Sequence, residues 1–334
     1  MNILVTGGTG EVGQAAVRRL VKNKHLVRVI GRRSGITLAG ADYRPCDVTD
    51  FAAVCEQVKG MDAIVHLAAI RHAALAPGQE IWRVNCQGTF NIYQAAAQAG
   101  IKRVVIASSI NAFGYYMGIK HFALHYFPID EAHPGFTTDP YSFSKQINEE
   151  IAAYFWRREG ICGIAIRLPA VYEVDKAKTP FTKNFILELR QALADLFALP
   201  PQERQARAQE AIDATERARQ ERLCEQPIER QSAFPQAALI FGRSNFWTSL
   251  DARDSAQAIE KGLLADYEGS HPVFVNDSRN CTGIPSKALV ETFFPEVNMW
   301  THAIDGTESL VSIDRVRELI GFEPQHSIDE LFEH

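Results

Sequence analysis

The sequence lacks the features that mark nucleic-acid-binding, membrane-spanning and secreted proteins. Its 334 residues carry a formal net charge of −5, so there is no strongly basic field for nucleic acid. No apolar run approaches the roughly 20 residues that span a bilayer. The chain opens on a strand-like segment, without a charged leader before an apolar core. We therefore expect a cytoplasmic protein that binds neither nucleic acid nor membrane.

Cysteine and histidine patterns typical of metal sites are missing as well. The six cysteines are scattered without a Cys-x-x-Cys pair, and the ten histidines are dispersed. This usage is typical of reduced thiols and predicts neither a disulfide framework nor a bound metal. The composition is otherwise that of a globular protein, with 46% hydrophobic residues in a chain long enough for one large domain or two lobes.

A glycine-rich turn joins a short apolar strand at residues 2–6 to a helix at residues 14–22. In this context Gly7 permits a tight turn, Gly10 lets the backbone approach a pyrophosphate, and Gly13 lets the helix pack closely on the strand. The free N–H groups at the helix N-terminus favour negative charge. The motif predicts a dinucleotide site formed by Gly7, Thr9, Gly10, Glu11, Val12 and Gly13.

The second strand, residues 25–30, lacks the acidic residue that usually follows it in a protein that binds NAD. Gly31 takes that place, and Arg32 and Arg33 follow. A guanidinium can grip a 2′-phosphate with paired hydrogen bonds, which a carboxylate would repel. This pattern favours NADP, with NAD as the alternative. The competing interpretation is that both arginines lie in a solvated surface turn.

Strands and helices continue to alternate as far as a sixth strand at residues 161–167, which predicts parallel βαβ units and a Rossmann-type doubly wound sheet in an α/β fold. We expect a dinucleotide-binding domain at residues 1–168. Residues 169–334 would form a smaller, mainly substrate-binding lobe with a helical insertion at about 176–232. A strand and a helix near 237–264 would return to the Rossmann domain.

Two further segments of this alternating region are expected near the cofactor. Asp47 ends a weak third strand and either reaches the adenine or caps the next helix. Ala68 and Ala69, which follow the fourth strand, are small enough for a cofactor to pass close to the backbone. His66 within that strand is expected to be a packed residue.

Tyr141 and Lys145 are four residues apart at the start of a segment with helical periodicity. Residues at i and i+4 share one face of a helix. A neighbouring ammonium stabilises phenolate, so it lowers the pKa of a tyrosine and suits it to acid–base work. Alone, the pair is a weak signal that favours an ordinary exposed Tyr and Lys on an amphipathic helix.

The ordered set of motifs resembles the extended short-chain dehydrogenases/reductases, the NAD-dependent epimerase/dehydratase family. The matching pieces are Thr6-Gly7-x-x-Gly10-x-x-Gly13, Asp47-Val48, His66-Leu67-Ala68-Ala69, Asn85-x-x-Gly88-Thr89, Ser108-Ser109 with Gly114, Tyr141-x-x-x-Lys145, Arg167-Leu168-Pro169, Asp251-Ala252-Arg253-Asp254 and, towards the C-terminus, Ser312-Ile313-Asp314 with Leu319-Ile320-Gly321-Phe322-x-Pro324. The similarity covers most of the chain.

The resemblance implies roles for individual residues. Tyr141 would exchange a proton with the reacting oxygen, Lys145 would lower its pKa and hold the nicotinamide ribose, and Ser109 would hydrogen-bond the same oxygen. The cofactor-binding set that it implies is Gly7, Thr9, Gly10, Glu11, Val12, Gly13, Arg32, Arg33, Asp47, Val48, Leu67, Ala68, Ala69, Asn85, Lys145 and Leu168, with no metal ligand.

Departures from the family pattern bear on the substrate. Ile110 and Asn111 follow Ser109. The sugar-nucleotide dehydratases of the family resemble Thr-Asp-Glu at this place, so a dehydration reaction is disfavoured here. Ala170 and Glu173 replace the Asn and Gly of many nucleotide-sugar enzymes. The resemblance therefore implies an NAD(P)-dependent oxidoreductase of a small sugar-like or other hydroxy/keto compound. We expect a small-molecule substrate and a second copy in a homodimer as its partners. A nucleotide-sugar epimerase with tightly held cofactor and a non-catalytic dinucleotide sensor are the alternatives.

Three segments stay without a single interpretation. Residues 115–127 are rich in aromatic side chains and either border the active site or pack on themselves. Arg71 and His72 either meet an anionic substrate group or lie in a surface turn. Residues 202–223 read as a long polar helix of unassigned role.

Overall fold

The computed structural model describes residues 1–173, 179–221 and 237–332, in which strands and helices alternate. The strands are β1 (Asn2–Thr6), β2 (Leu26–Gly31), β3 (Ala41–Pro45), β4 (Ala63–His66), β5 (Val104–Ala107), β6 (Gly163–Arg167), β7 (Ala170–Tyr172), β8 (Ser249–Asp251) and β9 (Ser270–Phe274). The helices are α1 (Glu11–Lys22), α2 (Phe51–Gln57), α3 (Gly78–Ile81), α4 (Gly88–Gln98), α5 (Pro140–Glu159), α6 (Thr179–Phe197), α7 (Pro201–Glu221), α8 (Ala237–Ser244), α9 (Ala252–Leu264), α10 (Ser286–Phe293) and α11 (Asp314–Ile320). The π-helical segment Trp82–Gln87 joins α3 to α4.

Within the described residues, seven strands form one parallel sheet in the order β3-β2-β1-β4-β5-β6-β9. The central strand β1 pairs with β2 and β4, so that Val5 lies between Val29 and Val65. Such strands are apolar on both sides because helices cover both faces. The predicted doubly wound α/β fold is confirmed.

The two faces of the sheet carry separate apolar cores. Val5, Leu20 of α1 and Ile259 of α9 belong to the core on one face. Leu4 and Phe155 of α5 belong to the core on the other face. Neighbouring strand residues point to opposite faces, so β1 contributes to both cores.

A third core lies under the C-terminal half of the described chain. It joins Phe127, Leu189 of α6, Trp247, Phe294 and Leu310. A second, two-stranded parallel sheet of β7 and β8 lies in this half. The expected substrate-binding role of residues 169–334 and the boundary at 168 stay predictions.

The returning strand differs in position from the one expected near 237–264. Strand β8 in that range pairs with β7, whereas β9 extends the large sheet beside β6. Pro272 of β9 lies at the sheet edge, where the missing N–H of proline is tolerated. The helix of that range, α9, packs against α1 on the Rossmann sheet.

The expected helical insertion is represented by α6 and α7, while 176–178 and 222–232 lie outside the described residues. Helix α7 packs against α6, α8 and α10 through a stripe of small side chains, among them Ala208, Ala211 and Thr215. Their spacing of three and four residues puts them on one face of the helix. The rest of α7 is mostly solvated, as the polar sequence predicts.

Candidate active site

A cavity of about 1420 Å³ opens beyond the carboxyl ends of the parallel strands. It extends from the turn after β1, past the ends of β4 and β5 and the start of α5, to the inner face of α6. Ligands of doubly wound sheets bind at this edge. The volume exceeds the 300–1,000 Å³ or so of a typical single-ligand pocket, which leaves room for a cofactor and a second molecule.

The glycine turn has the close packing that its sequence predicts. Gly7 has φ +70°, and a Cβ there would lie 2.7 Å from the Ala68 amide nitrogen. A Cβ on Gly13 would lie 2.2 Å from the Gly7 carbonyl oxygen. At Gly10 the nearest atom would be 3.5 Å away, so this glycine faces open space. This space would allow a pyrophosphate to approach the backbone, as the glycine motif predicts.

Almost all of the predicted cofactor residues line the cavity. They are Gly7, Thr9, Gly10, Glu11, Val12, Gly13, Arg32, Arg33, Asp47, Val48, Leu67, Ala68, Ala69, Lys145 and Leu168. Additional lining residues that the sequence interpretation missed are Ile30, Tyr43, Cys46 and Val84. These residues form no recognisable sequence motif, because any apolar side chain of similar size can line such a wall.

Asn85 is the exception, because it is fully buried and does not line the cavity. Its side-chain amide accepts from the Ile70 N–H at 2.7 Å and donates to the Ile70 carbonyl at 2.9 Å. It also donates to Ser144 Oγ at 2.9 Å. Asn85 therefore ties the segment after β4 to helix α5, and its expected contact with the cofactor stays a prediction.

A side chain at the end of β2 would have to displace the Tyr43 hydroxyl. A Cβ on Gly31 would lie 2.8 Å from the Tyr43 hydroxyl, which itself donates to the Arg33 carbonyl at 2.8 Å. The exposed side chains of Arg32 and Arg33 are thereby left at the mouth of the cavity.

Asp47 does not cap α2, whose N-cap is Asp50, and its expected reach towards the adenine stays a prediction. Its carboxylate lines the cavity and accepts from both the N–H and the hydroxyl of Thr49, each at 2.9 Å. Burial opposes ionisation, but the Thr49 hydrogen bonds and the charges of Arg83 and Arg32 outweigh it and lower the pKa of Asp47. The carboxylate is thus ionised and fixed in orientation.

Tyr141 and Lys145 are presented by the first turns of α5. The Asp139 carboxylate caps this helix by accepting from the Ser142 N–H at 2.9 Å, and Pro140 occupies its first turn. Both Tyr141 and Lys145 line the cavity, and only 6% and 3% of their surfaces are exposed. Lys145 Nζ donates to the Ala107 carbonyl at 2.7 Å and lies 5.8 Å from the centre of the Tyr141 ring.

Ser109 lies at the end of β5, beside the tyrosine. Its Oγ accepts from the Asn111 N–H at 3.1 Å and from Asn111 Nδ2 at 3.2 Å. These two donors leave the hydroxyl hydrogen of Ser109 to point elsewhere. The Ser109 side chain acts on the Tyr141 phenol in the direction that lowers its pKa, and both side chains line the cavity.

Burial decides the pKa values of Tyr141 and Lys145. Burial raises the pKa of Tyr141 to about 12, although the Ser109 hydrogen bond and the charge of Arg71 act in the opposite direction. Lys145 is not among the groups that shift it. Burial lowers the pKa of Lys145 to about 8, with Cys86 and Glu149 opposing that change. Burial of the phenol thus outweighs the groups that lower its pKa, and the expected effect of Lys145 on Tyr141 stays a prediction.

Glu149 is a supporting residue that the sequence analysis missed. It accepts from Ser108 Oγ at 2.5 Å and forms a two-pronged pair with Arg167 at 2.9 and 2.8 Å. The signal was present, since Glu149 follows Lys145 by four residues and so shares its helix face. Its charge favours the protonated form of Lys145.

The aromatic segment fits both of its proposed interpretations. Tyr115 and Phe127 are buried in the C-terminal core, with ring centroids 5.2 Å from Phe246 and 5.2 Å from Phe294 respectively. Tyr116 and Met117, by contrast, line the cavity. The segment therefore packs on the core and also forms part of the active-site wall.

Arg71 lines the cavity mouth with a side chain that is 72% exposed, and its guanidinium lies 3.9 Å from the Glu11 carboxylate.

His66, as expected, is a packed residue, since its ring nitrogens hydrogen-bond the hydroxyls of Thr6 at 2.7 Å and Thr89 at 3.1 Å. Burial lowers the pKa of His66 to about 3, so it is neutral. Among the described residues, no group of three or more His, Cys, Asp or Glu side chains is placed to hold a metal ion.

Comparison with known proteins identifies the family. The sequence profile of the NAD dependent epimerase/dehydratase family matches residues 3–199, which is more than half of the chain. The chain belongs to this family. The resemblance inferred from the motifs is thereby confirmed, and the glycine turn, Ser109, Tyr141 and Lys145 all lie within the matched part.

Two relatives within the wider family illustrate its activities. A uronate dehydrogenase of Pseudomonas syringae pv. tomato is 31% identical over 168 residues, which is 50% of this chain and 58% of that protein. An L-arabinose 1-dehydrogenase (NAD(P)(+)) of Haloferax volcanii is 29% identical over 181 residues, 53% of this chain and 69% of that protein. The chain thus spans less than two thirds of the uronate dehydrogenase that it matches.

Solved structures support the fold of the whole described chain. A UDP-glucose 4-epimerase of Thermotoga maritima, solved with UDP-glucose, superposes with a TM-score of 0.63 at 17% identity, covering 99% of this chain and 96% of that one. At this identity the likeness shows the shared architecture of the family and nothing about substrate.

Proposed function

We propose that this protein is an NADP-dependent oxidoreductase that moves a hydride between the nicotinamide and a hydroxyl or carbonyl carbon of a small sugar-like or other hydroxy/keto compound. The observation that carries the proposal is the convergence of Ser109, Tyr141 and Lys145 on the cavity that the glycine turn also lines. The dehydrogenase activities named for the two relatives support it.

The chain's own residues would handle the proton. The bound nicotinamide supplies or accepts the hydride. The phenol of Tyr141, kept neutral by burial, is the form that donates a proton to the oxygen of a carbonyl under reduction. Ser109 adds a second hydroxyl at the same oxygen, which stabilises its developing charge. In the reverse direction the phenolate of Tyr141 takes the hydroxyl proton.

Lys145 would hold the ribose end of the cofactor beside this pair. Its ammonium is anchored to the Ala107 carbonyl, and Glu149 on the next turn favours its charged state. The buried hydrogen bond between Asn85 and Ser144 ties α5 to the segment after β4, so buried hydrogen bonds hold the site in place. Such preorganisation is what transition-state stabilisation requires.

A substrate screen tests the proposed function. Sugars, uronates and aromatic carbonyl compounds are incubated with NADP or NADPH, and the nicotinamide absorbance is followed. Net, substrate-dependent change in absorbance supports the dehydrogenase. Conversion of a nucleotide sugar without net cofactor use would contradict the dehydrogenase and indicate an epimerase. Dinucleotide binding without turnover of any substrate would indicate a non-catalytic sensor.

The preference for NADP has its own test at Arg32 and Arg33. Charge-assisted hydrogen bonds to the 2′-phosphate are worth about 1.5–3 kcal/mol, so we expect NADP to bind at least about tenfold more tightly than NAD. The double variant Arg32→Ser, Arg33→Ser should remove this difference, as measured by titration of both dinucleotides.

The matched control for these variants is Arg44→Ser, on β3 but away from the cavity, where Arg44 pairs with Asp42 at 2.8 Å. It should leave both affinities unchanged. Equal affinities for the two dinucleotides in the unaltered protein, or tighter NAD, would contradict the proposal. NAD would then be the cofactor.

We also propose a homodimer through the outer faces of the π-helical segment, α4 and α5. Trp82 stacks on Phe143 with ring centroids 6.0 Å apart, and Phe90 stacks on Tyr154 at 6.4 Å. All four side chains are 40–48% exposed. Aromatic pairs clustered on one exposed face are typical of interaction surfaces, and a two-fold axis would set the face against its own copy.

Light scattering at micromolar concentration tests the dimer. We expect the mass of two chains for the unaltered protein and of one chain for Phe143→Glu, because a buried unpaired carboxylate is costly. Met299→Glu, at an apolar residue elsewhere that is 58% exposed against 43% for Phe143, should stay dimeric. A monomeric unaltered protein would contradict this proposal without affecting the catalytic one.

A cytoplasmic, reducing location completes the proposal. The described cysteines, Cys46, Cys55, Cys86, Cys162 and Cys281, are all free thiols. Reduced thiols without disulfides are typical of such a compartment. Separately, no helix among the described residues is long and apolar enough to cross a membrane.

A further inference from the structure

Arg219 is an unusual residue for the polar insertion helix α7. The buried stripe of this helix consists of small side chains at Ala208, Ala211 and Thr215, and Arg219 continues the stripe one turn further with 6% of its surface exposed. Removing a guanidinium from water is costly unless hydrogen bonds compensate. A buried arginine at the end of an otherwise small-residue face therefore indicates a specific partner.

The partner is the turn that follows Gly114. Arg219 Nη1 donates to the Tyr115 carbonyl at 2.7 Å and to the Gly118 carbonyl at 3.0 Å. The guanidinium carbon also lies 5.3 Å from the centre of the Tyr115 ring, within the range of a cation–π contact. One side chain thus holds both ends of a four-residue turn.

The middle of this turn forms part of the active-site wall. Tyr116 and Met117, which lie between the two bonded carbonyls, line the cavity. Met117 is 6% exposed and belongs to a small apolar cluster with Ala73 and Tyr141. The turn that Arg219 holds is therefore in contact with the side chain proposed to exchange the proton.

A second contact of α7 reaches the same loop. The Glu216 carboxylate, one turn before Arg219, lies 3.6 Å from Arg219 Nε and 3.6 Å from His121 Nδ1. Two side chains one turn apart on the insertion helix thus engage the loop at Tyr115, Gly118 and His121. The interaction is distributed along the loop instead of resting on one contact.

We propose that Arg219 is a positioning residue for substrate, through which the insertion helix fixes Tyr116 and Met117 as the wall of the substrate side of the cavity beside Tyr141. The inference rests on the proposed function and gives the polar insertion a role in it. The wall offers a phenol ring and a thioether, which suit the apolar face of a compact hydroxy or keto compound.

The primary test is Arg219→Met, which keeps an unbranched side chain but removes the donors and the charge. We expect KM for the substrate to rise about tenfold or more, since a displaced wall weakens substrate contacts. The dissociation constant of the dinucleotide should change by less than about twofold, because Arg219 is remote from the glycine turn. Arg219→Lys, which can reach one carbonyl, should recover part of the loss.

Arg207→Met is the matched control on the same helix. Arg207 is 58% exposed and pairs with Glu210 at 3.2 Å, so its replacement should leave KM and kcat unchanged. An unchanged KM in Arg219→Met would overturn the proposal. Parallel losses of substrate affinity, dinucleotide affinity and thermal stability would also overturn it, by showing a general structural role.

Hydrogen exchange gives a readout that is independent of catalysis. Amides of residues 114–121 should exchange at least about tenfold faster in Arg219→Met than in Arg207→Met, with the glycine turn and the start of α5 unaffected. Unchanged exchange in this loop would overturn the proposal even if a substrate is found. A protein without turnover whose loop does respond would instead refute the proposed function and leave the anchoring by Arg219 supported.

Discussion

The Tyr141→Phe variant is expected to lose about 100- to 10,000-fold in turnover while binding the dinucleotide as tightly as the unaltered protein. The change removes the hydroxyl that exchanges the proton but keeps the ring that packs with Ala73 and Met117. The cavity should therefore keep its shape. Steady-state kinetics with the best substrate of the screen, together with a dinucleotide titration, measure both quantities.

Tyr154→Phe is the control on the same helix. Its hydroxyl accepts from Arg158 at 2.9 Å at the protein surface, far along α5 from the cavity-lining turn. This variant should keep full turnover. Substantial activity in Tyr141→Phe would contradict the proton-transfer role, and a simultaneous loss of dinucleotide binding would show that the substitution had damaged the site instead of the chemistry.

The Gly10→Ala variant is expected to weaken dinucleotide binding by about 100-fold without destabilising the free protein. The added Cβ would have ordinary contact with the Gly7 carbonyl oxygen at 3.5 Å, so the turn itself tolerates a methyl group. The methyl would occupy the space through which a pyrophosphate approaches the backbone. Isothermal titration and thermal unfolding give the two measurements.

Gly13→Ala provides the contrast. There the Cβ would lie 2.2 Å from the Gly7 carbonyl oxygen and 2.7 Å from Gly8 Cα, so the backbone has to move. We expect both the melting temperature and the dinucleotide affinity to fall. If Gly10→Ala bound dinucleotide normally, the pyrophosphate would not lie over this turn, and the proposed cofactor site would be contradicted.

The strand and helix alternation of the first half was predictable because each buried strand has a strong apolar signal and the glycine turn fixes the first βαβ unit. Strand β9 was missed because Pro272 interrupts the pattern of a central strand, and only its position at the sheet edge makes proline acceptable. Edge position depends on the whole topology, which local sequence does not specify.

The residues proposed to transfer the proton were found from spacing and resemblance, but their electrostatics were not. Burial of both Tyr141 and Lys145 decides their pKa values, and burial depends on Met117, Ala73 and other residues distant in sequence. Arg219 could not be distinguished from the exposed Arg207 by sequence, because both lie in the same polar helix. Only the packing of α7 on the active-site loop separates them.

A structure with dinucleotide and a substrate analogue bound tests the central claim most directly. We predict that the oxygen at the reacting carbon lies about 2.6–3.2 Å from both the Tyr141 and the Ser109 hydroxyls, with the nicotinamide against the same carbon and its ribose on Lys145. A nicotinamide bound elsewhere in the cavity, or a reacting oxygen beyond the reach of Tyr141, would contradict it.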